Sequence, residues 1–410
     1  MREALVLIAL IAGTMACSSA DAQMLAEDAE RLVVTRDTPF GELKPGSDIT
    51  EALQWACDQY SNNQLPLSIP SGRWKISKTI RLPVMAGFVL LGEGMQHPSE
   101  MHINWKGTGT TLQWTGEAGG VMLDYSAYLS TIGNFTLVGK STTRDYSKPG
   151  NQASVGILIN KRVKGLGVGS VKFAPMLIAN CDTGIQNGTR KFETNCDNLL
   201  FEWLVFSQCK VGFHGVNNQG LDIIFEYLSL YDRVETGILL QGGGHLVVQS
   251  GLTTSEGVWL KIPDTKGEGV GKNNGYIRLS NIQIDGEVGH AVTMIDCEEP
   301  YRIQIILDGC LRAGEWVWPD VPLAKVCGGN LLTIRNFTGF AEIVGSKGRD
   351  RTPLVSLTNS QLWGHRFTGD LKVRVRDCMS KEDGWFDLDW PVPSEATNET
   401  ATNEAPATSD

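Results

Sequence analysis

Cys181-Asp182-Thr183-Gly184-Ile185, Cys209-Lys210-Val211-Gly212-Phe213 and Val234-Glu235-Thr236-Gly237-Ile238 each set a Gly before an apolar residue, at intervals of 28 and 25 residues. Phe201-Glu202-Trp203 returns as Phe225-Glu226-Tyr227 after 24 residues, and Asp197 returns as Asp222 after 25. Self-similarity at roughly 20 to 30 residues marks a stacked array rather than an ordinary globular domain. Stacking also removes the difficulty of fitting 410 residues to one domain, because a solenoid grows coil by coil.

Outward from that core the pattern continues as short strands. Tyr276–Ile284, Ile303–Leu307, Leu331–Ile334, Leu354–Leu357 and Leu371–Val375 mostly alternate apolar with polar residues. Such alternation suits sheets with one buried and one wet face. Asn281, Asn336 and Asn359 follow strands and fit turns or an asparagine stack. The 46 Gly and 16 Pro are scattered between apolar runs, which reads as many turns.

Upstream, Asp48 followed by Glu51 reads as a helix start, and Ile49, Leu53, Ala56 and Tyr60 form one apolar stripe. The helix is expected to cover the first open coil, since unpaired strand edges invite aggregation. Next come Ile69-Pro70-Ser71-Gly72-Arg73-Trp74-Lys75-Ile76-Ser77 and Leu90-Leu91-Gly92-Glu93-Gly94. This order of pieces, over residues 48 to 94, resembles the start of the pectate-lyase-like right-handed parallel β-helix family, and within it the rhamnogalacturonase- and epimerase-type members. The resemblance implies an all-β fold: a single-stranded right-handed parallel β-helix with a short N-terminal capping helix. It is specific for the fold and not for one reaction. The lyase signature R-x-P-x-x-R is absent, the hydrolase positions read Gly244-His245-Leu246 and Arg302-Ile303-Gln304, and there is no D-D pair. No family site residue therefore transfers.

The expected layout is a signal peptide at 1–22, a lead-in at 23–46, a β-helix domain at 47–390 and a disordered tail at 391–410. The apolar run Leu5–Ala12 is too short to span a bilayer, and Ala20-Asp21-Ala22 fits a cleavage site. The protein is expected to be secreted or periplasmic, or lipid-anchored if Cys17 is the processing site. No later segment is apolar enough for a membrane span. A net charge of −10 argues against nucleic acid as partner. The eight cysteines after Cys17 permit disulfides in an exported chain, or serve as small buried hydrophobes.

One coil of a parallel solenoid separates neighbours by about 5 Å. Glu202 should therefore face Glu226, and Asp197 should face Asp222. Two such carboxylates repel, which raises one pKa and yields an acid beside an ionised partner. That suits a glycosidase, and a separation near 5 Å suits a retaining one. A calcium ion held by several carboxylates is a second use. The competing bland reading is that acids recur at turns because they bond backbone groups there.

Lyase chemistry would need a base and a cation instead. His245 and Arg233 join Glu202, Glu226 and Asp222 as catalytic candidates, with Lys210, His214, Tyr231, Trp203 and Tyr227 as substrate-binding candidates. Trp259, Trp316, Trp318 and Trp363 are further aromatic surfaces for sugar rings. The expectation is a monomeric enzyme that cleaves an anionic, uronate-type polysaccharide by lyase or hydrolase chemistry. Its rivals are a non-catalytic glycan-binding or surface protein, and a sugar epimerase.

Overall fold

A computed structural model describes residues 31–96, 109–139, 153–160, 162–163, 167–189, 196–285, 288–313, 318–380 and 384–390. The segments expected as signal peptide (1–22) and disordered tail (391–410), and Trp316, lie outside the described residues. The chain is a parallel β-helix, with the connections right-handed as the general rule for parallel crossovers requires.

Each coil visits three ladders in the same order. The first face takes 196–203, then Ile223 to Tyr227, His245–Val248, Tyr276–Ser280, Gln304–Asp308, Leu331–Arg335, Leu354–Thr358 and 372–376, all in parallel register. The second face takes 204–207, 228–231, Gly251–Thr253 and Ile282–Ile284. The third takes Thr183–Asn187, Val211–Gly215, Thr236–Leu240 and Gly257–Ile262. The strands Cys196–Ser207 and Ile223–Tyr231 run without a break from the first face to the second.

The inward residues form one continuous apolar column. On the first face it contains a stack of rings: Phe173 on Phe201 at 4.5 Å and Phe201 on Phe225 at 4.6 Å, with nearly parallel planes. Cutting Phe201 to Ala would cost about 3–5 kcal/mol. The Gly-apolar signature also has a steric cause. A Cβ on Gly184 or Gly212 would lie 2.4 or 2.5 Å from the Phe206 ring, and one on Gly237 would lie 2.4 Å from Leu230. The third face thus needs bare backbone where the second face's large side chains reach across the core.

The helix α1, Thr50–Asn63, closes the first coil. Its Leu53, Ala56 and Tyr60 are buried together with Ile49 just before it, as the stripe requires. The Tyr60 hydroxyl donates to the Gly87 carbonyl at 2.7 Å. The cap differs from expectation by one residue. Ile49 occupies the cap position, and Asp48 accepts from the Thr50 backbone N–H at 2.8 Å and from its hydroxyl. Glu51 turns outward to Lys78, because the cap it would have served is already made by Asp48. At the other end, Gly384–Trp390 pairs antiparallel with Lys372–Ser380. Phe386 packs on the core there, whereas Trp385 is 72% exposed.

Among the described residues all eight cysteines are free, and all but Cys327 are buried. Burial pushes the Cys209 thiol up to about 12, so these cysteines act as small hydrophobes in the coils. Asn359 donates to Asn336, and Asn336 to Asp308, so two of the three flagged asparagines stack. Asn281 bonds the Gln249 carbonyl instead, because Gly309 occupies the next corner.

Candidate functional site

Glu202 and Glu226 meet as their spacing predicts. Phe201 pairs with Phe225 and Trp203 with Tyr227 across adjacent coils, which puts the two intervening carboxylates side by side on the outer surface of the first face. Alternation does the aiming: with Phe201 and Phe225 locked inward by stacking, Glu202 and Glu226 must point out. Lys172, one coil before, sets its ammonium 2.6 Å from Glu202. Among the described residues Glu226 makes no such ion pair. Partial burial, then the nearby charge of Glu202, raises its carboxyl above the usual range, while Lys172 pulls modestly the other way. The row therefore offers a carboxylate with a countercharge beside a carboxyl that holds its proton more tightly.

Next to this row, Trp203 and Tyr227 stand edge to face with centroids 6.0 Å apart. Trp203 is 43% exposed, which leaves it open to a sugar ring. Further back along the same strands, Asp222 lies 2.7 Å from His245 Nδ1, and the His245 ring tilts over Tyr276 at 5.2 Å. Asp222 adopts a left-handed backbone (φ +57°), which Asp tolerates better than most residues. Four residues separate Asp222 from Glu226, so the two centres are roughly 13 Å apart on one face.

The remaining candidates disperse. The expected Asp197–Asp222 pair does not form. The register offset here is 24, not 25, so Leu221 falls opposite Asp197, whose carboxylate accepts the Leu221 N–H at 2.9 Å. His214 projects from the third face and bonds Gln241 at 3.0 Å. Lys210 and Arg233 sit exposed in the corners between second and third faces, off the ladder that carries the acid row. Tyr231 packs beside Leu177, Ala179 and Val205 on the second face. Trp259 is buried in the core, so it is packing and not a sugar platform. Trp318 and Trp363 both pack near Phe340, at 5.0 and 6.1 Å. Among the described residues no three His, Cys, Asp or Glu converge on a metal ion, so the calcium expectation finds no ligand set there.

Sequence reasoning missed two features of this face. Lys172 pairs with the coil of Leu200 at an offset of 28, so no 24-residue repeat points to it. Three coils beyond the Glu226 strand, Asp308 accepts from Arg278 at 2.7 Å, Arg335 at 2.8 Å and Asn336 at 2.9 Å. The flagged Asn336 was the only signal leading there.

No protein-family model matches the sequence, and no curated protein matches it. Solved structures do resemble it. The catalytic domain of Agl-KA gives a TM-score of 0.58 over 86% of this chain and 69% of that one, at 12% identity. DFA-IIIase from Arthrobacter chlorophenolicus A6 gives 0.54 over 87% and 92%, at 13% identity. The N-terminal fragment of bacteriophage phi29 gene product 12 gives 0.50 over 93% and 69%, at 13% identity. What is shared is the fold. Identities this low carry the parallel β-helix and leave the chemistry to this chain's own residues.

Proposed function

We propose that the protein is an exported enzyme that hydrolyses a polysaccharide laid along its first face. The observation that carries this reading is the Lys172–Glu202–Glu226 row beside the Trp203–Tyr227 pair. Glu226, with its raised proton affinity, gives its proton to the glycosidic oxygen as the C–O bond breaks. Glu202, countered by Lys172, bonds to the sugar carbon as the leaving oxygen departs; water then displaces Glu202 while Glu226 takes the water's proton, and Trp203 holds a neighbouring ring. Adjacent coils set the two carboxyl groups about 5 Å apart, which favours retention of anomeric configuration. Two of the structures with this fold are enzymes by name, and the N-terminal apolar segment with its Ala20-Asp21-Ala22 site supports export.

Hydrolysis is favoured over β-elimination because a lyase needs a cation beside the base to neutralise the uronate, and the cation at the acid row, Lys172, is already paired with Glu202. The test is an assay of the mature protein on a glycan panel, read for new reducing ends and for the ultraviolet absorbance of unsaturated ends. Reducing ends without unsaturation, lost in Glu226→Gln, are expected. Unsaturated ends lost in His245→Ala but kept in Glu226→Gln would move the chemistry to the Asp222–His245 pair.

A further inference from the structure

The first face continues past the acid row to a shallow, open corner lined by Arg302, Gly329, Asp350, Arg351, Thr352 and Lys372, of about 480 Å³. These positions come from four successive coils, so cations far apart in sequence are stacked at one edge. Gly329 is what lets two of them close in. A Cβ there would lie 3.1 Å from Arg351 Cδ, 3.7 Å from its Nη1 and 3.8 Å from Arg302 Cγ. The two arginine side chains thus lie across the same bare backbone. Among the described residues no ion pair joins Arg302, Arg351 or Lys372 to a carboxylate, Asp350 included. Arg349 lies beside this cluster, its guanidinium 4.1 Å over the Tyr301 ring. Elsewhere on the face arginines of neighbouring coils share a carboxylate, as Arg278 and Arg335 share Asp308.

We propose that this corner is a distal subsite for an anionic group on the polymer, either a carboxylate or a sulfate ester. Like charges held together with no ion pair to a carboxylate are costly, and an anion with two or more oxygens offsets that cost through charge-assisted hydrogen bonds. The Leu331, Leu354 and Lys372 strand starts lie in register with Gln304, Tyr276 and His245 on one edge, so a chain passing the His245 edge runs toward the pocket. The span from Glu226 is roughly 20–30 Å, several sugar units away. The inference rests on the polysaccharide reading above but concerns binding, not cleavage.

The test uses the mature full chain and three probes: polygalacturonate, dextran sulfate and neutral dextran, with dissociation constants measured at low and moderate salt. The parent should bind a charged polymer and not dextran. Arg302→Gln/Arg351→Gln should weaken that binding about tenfold, with a shallower salt dependence. The charge-matched control Lys44→Gln/Lys325→Gln should leave it unchanged. Whichever polymer responds to the arginine pair identifies the group. Equal binding by the arginine variant and parent on both polymers, or dextran bound as tightly, overturns the subsite. Binding through the arginines with no cleavage of any polymer would keep the subsite and remove the hydrolase reading; cleavage with unchanged affinity in the arginine variant would do the reverse.

Discussion

On one face of one solenoid, Lys172 serves Glu202 and Glu226, so one cation faces two carboxylates. Three coils from Glu226, Arg278 and Arg335 both grip Asp308, so two cations face one. The backbone frame is the same in both places, and all six charged groups project outward from the same ladder. The proton affinities diverge. Burial and the Glu202 charge raise Glu226. Burial also pushes Asp308 up, but hydrogen bonds from Arg335, Asn336 and Arg278 outweigh it and bring the carboxyl below its ordinary range. The ratio of cations to carboxylates in a coil ladder, not the fold, decides whether an acid is poised to donate a proton or fixed as a clamp.

The contrast breaks most visibly in turnover. Glu226→Gln should lower kcat about 10²- to 10⁴-fold, the range for loss of a general acid. Asp308→Asn should leave kcat within a few-fold. The check is reducing-end release on whichever polymer the parent cleaves. Comparable losses in the two variants would mean that the clusters do not differ in role.

A smaller effect sharpens the electrostatics. The Lys172 charge lowers the proton affinity of Glu226, so Lys172→Met should raise it further. Activity that needs the protonated acid falls as pH rises through that pKa. The alkaline limb of the kcat profile should therefore move to higher pH. A limb that stays put or moves to lower pH would detach Lys172 from the row.

How much of this was legible beforehand depended on the spacing. Glu202 and Glu226 were found because the coil between them holds 24 residues and the register keeps that offset. Asp197 and Asp222 failed by one residue, since a one-residue slip in a strand removes the pairing outright. Lys172 was hidden by a longer coil, and Asp308 with its arginines by unequal intervals of 30 and 27 residues. Lys210, His214 and Arg233 were near the acids in sequence but turned a corner onto other surfaces. The fold needed only the repeated Gly-apolar pattern, which follows from the core beneath it. Facing direction around a corner depends on packing that no local pattern encodes.

Stability should part the clusters again. Asp308 has a depressed folded pKa, so its contribution is present above the unfolded carboxylate value and is lost as pH falls through the folded one. Asp308→Asn leaves Arg278 and Arg335 facing each other, and should cost about 1 kcal/mol or less at neutral pH. The denaturation midpoint checks this. The difference from the parent should shrink in acid, and a difference that persists there would point to lost packing instead.

Glu226 should show the smallest change and the opposite sign. Its folded pKa is raised, so ionising it opposes folding. That penalty begins as pH climbs past the ordinary carboxylate value and is complete above the folded one. Glu226→Gln removes the penalty. The group is largely exposed and screened by solvent, so the gain should be only about 0.2–0.5 kcal/mol at neutral pH and near zero in acid. It should appear as a slightly higher Tm in the variant that has lost turnover. A fold that tolerates two adjacent carboxylates with one countercharge gives up stability at that point. If Glu226→Gln instead lowers Tm as Asp308→Asn does, Glu226 is a structural member of the row and the acid must be sought elsewhere on the face.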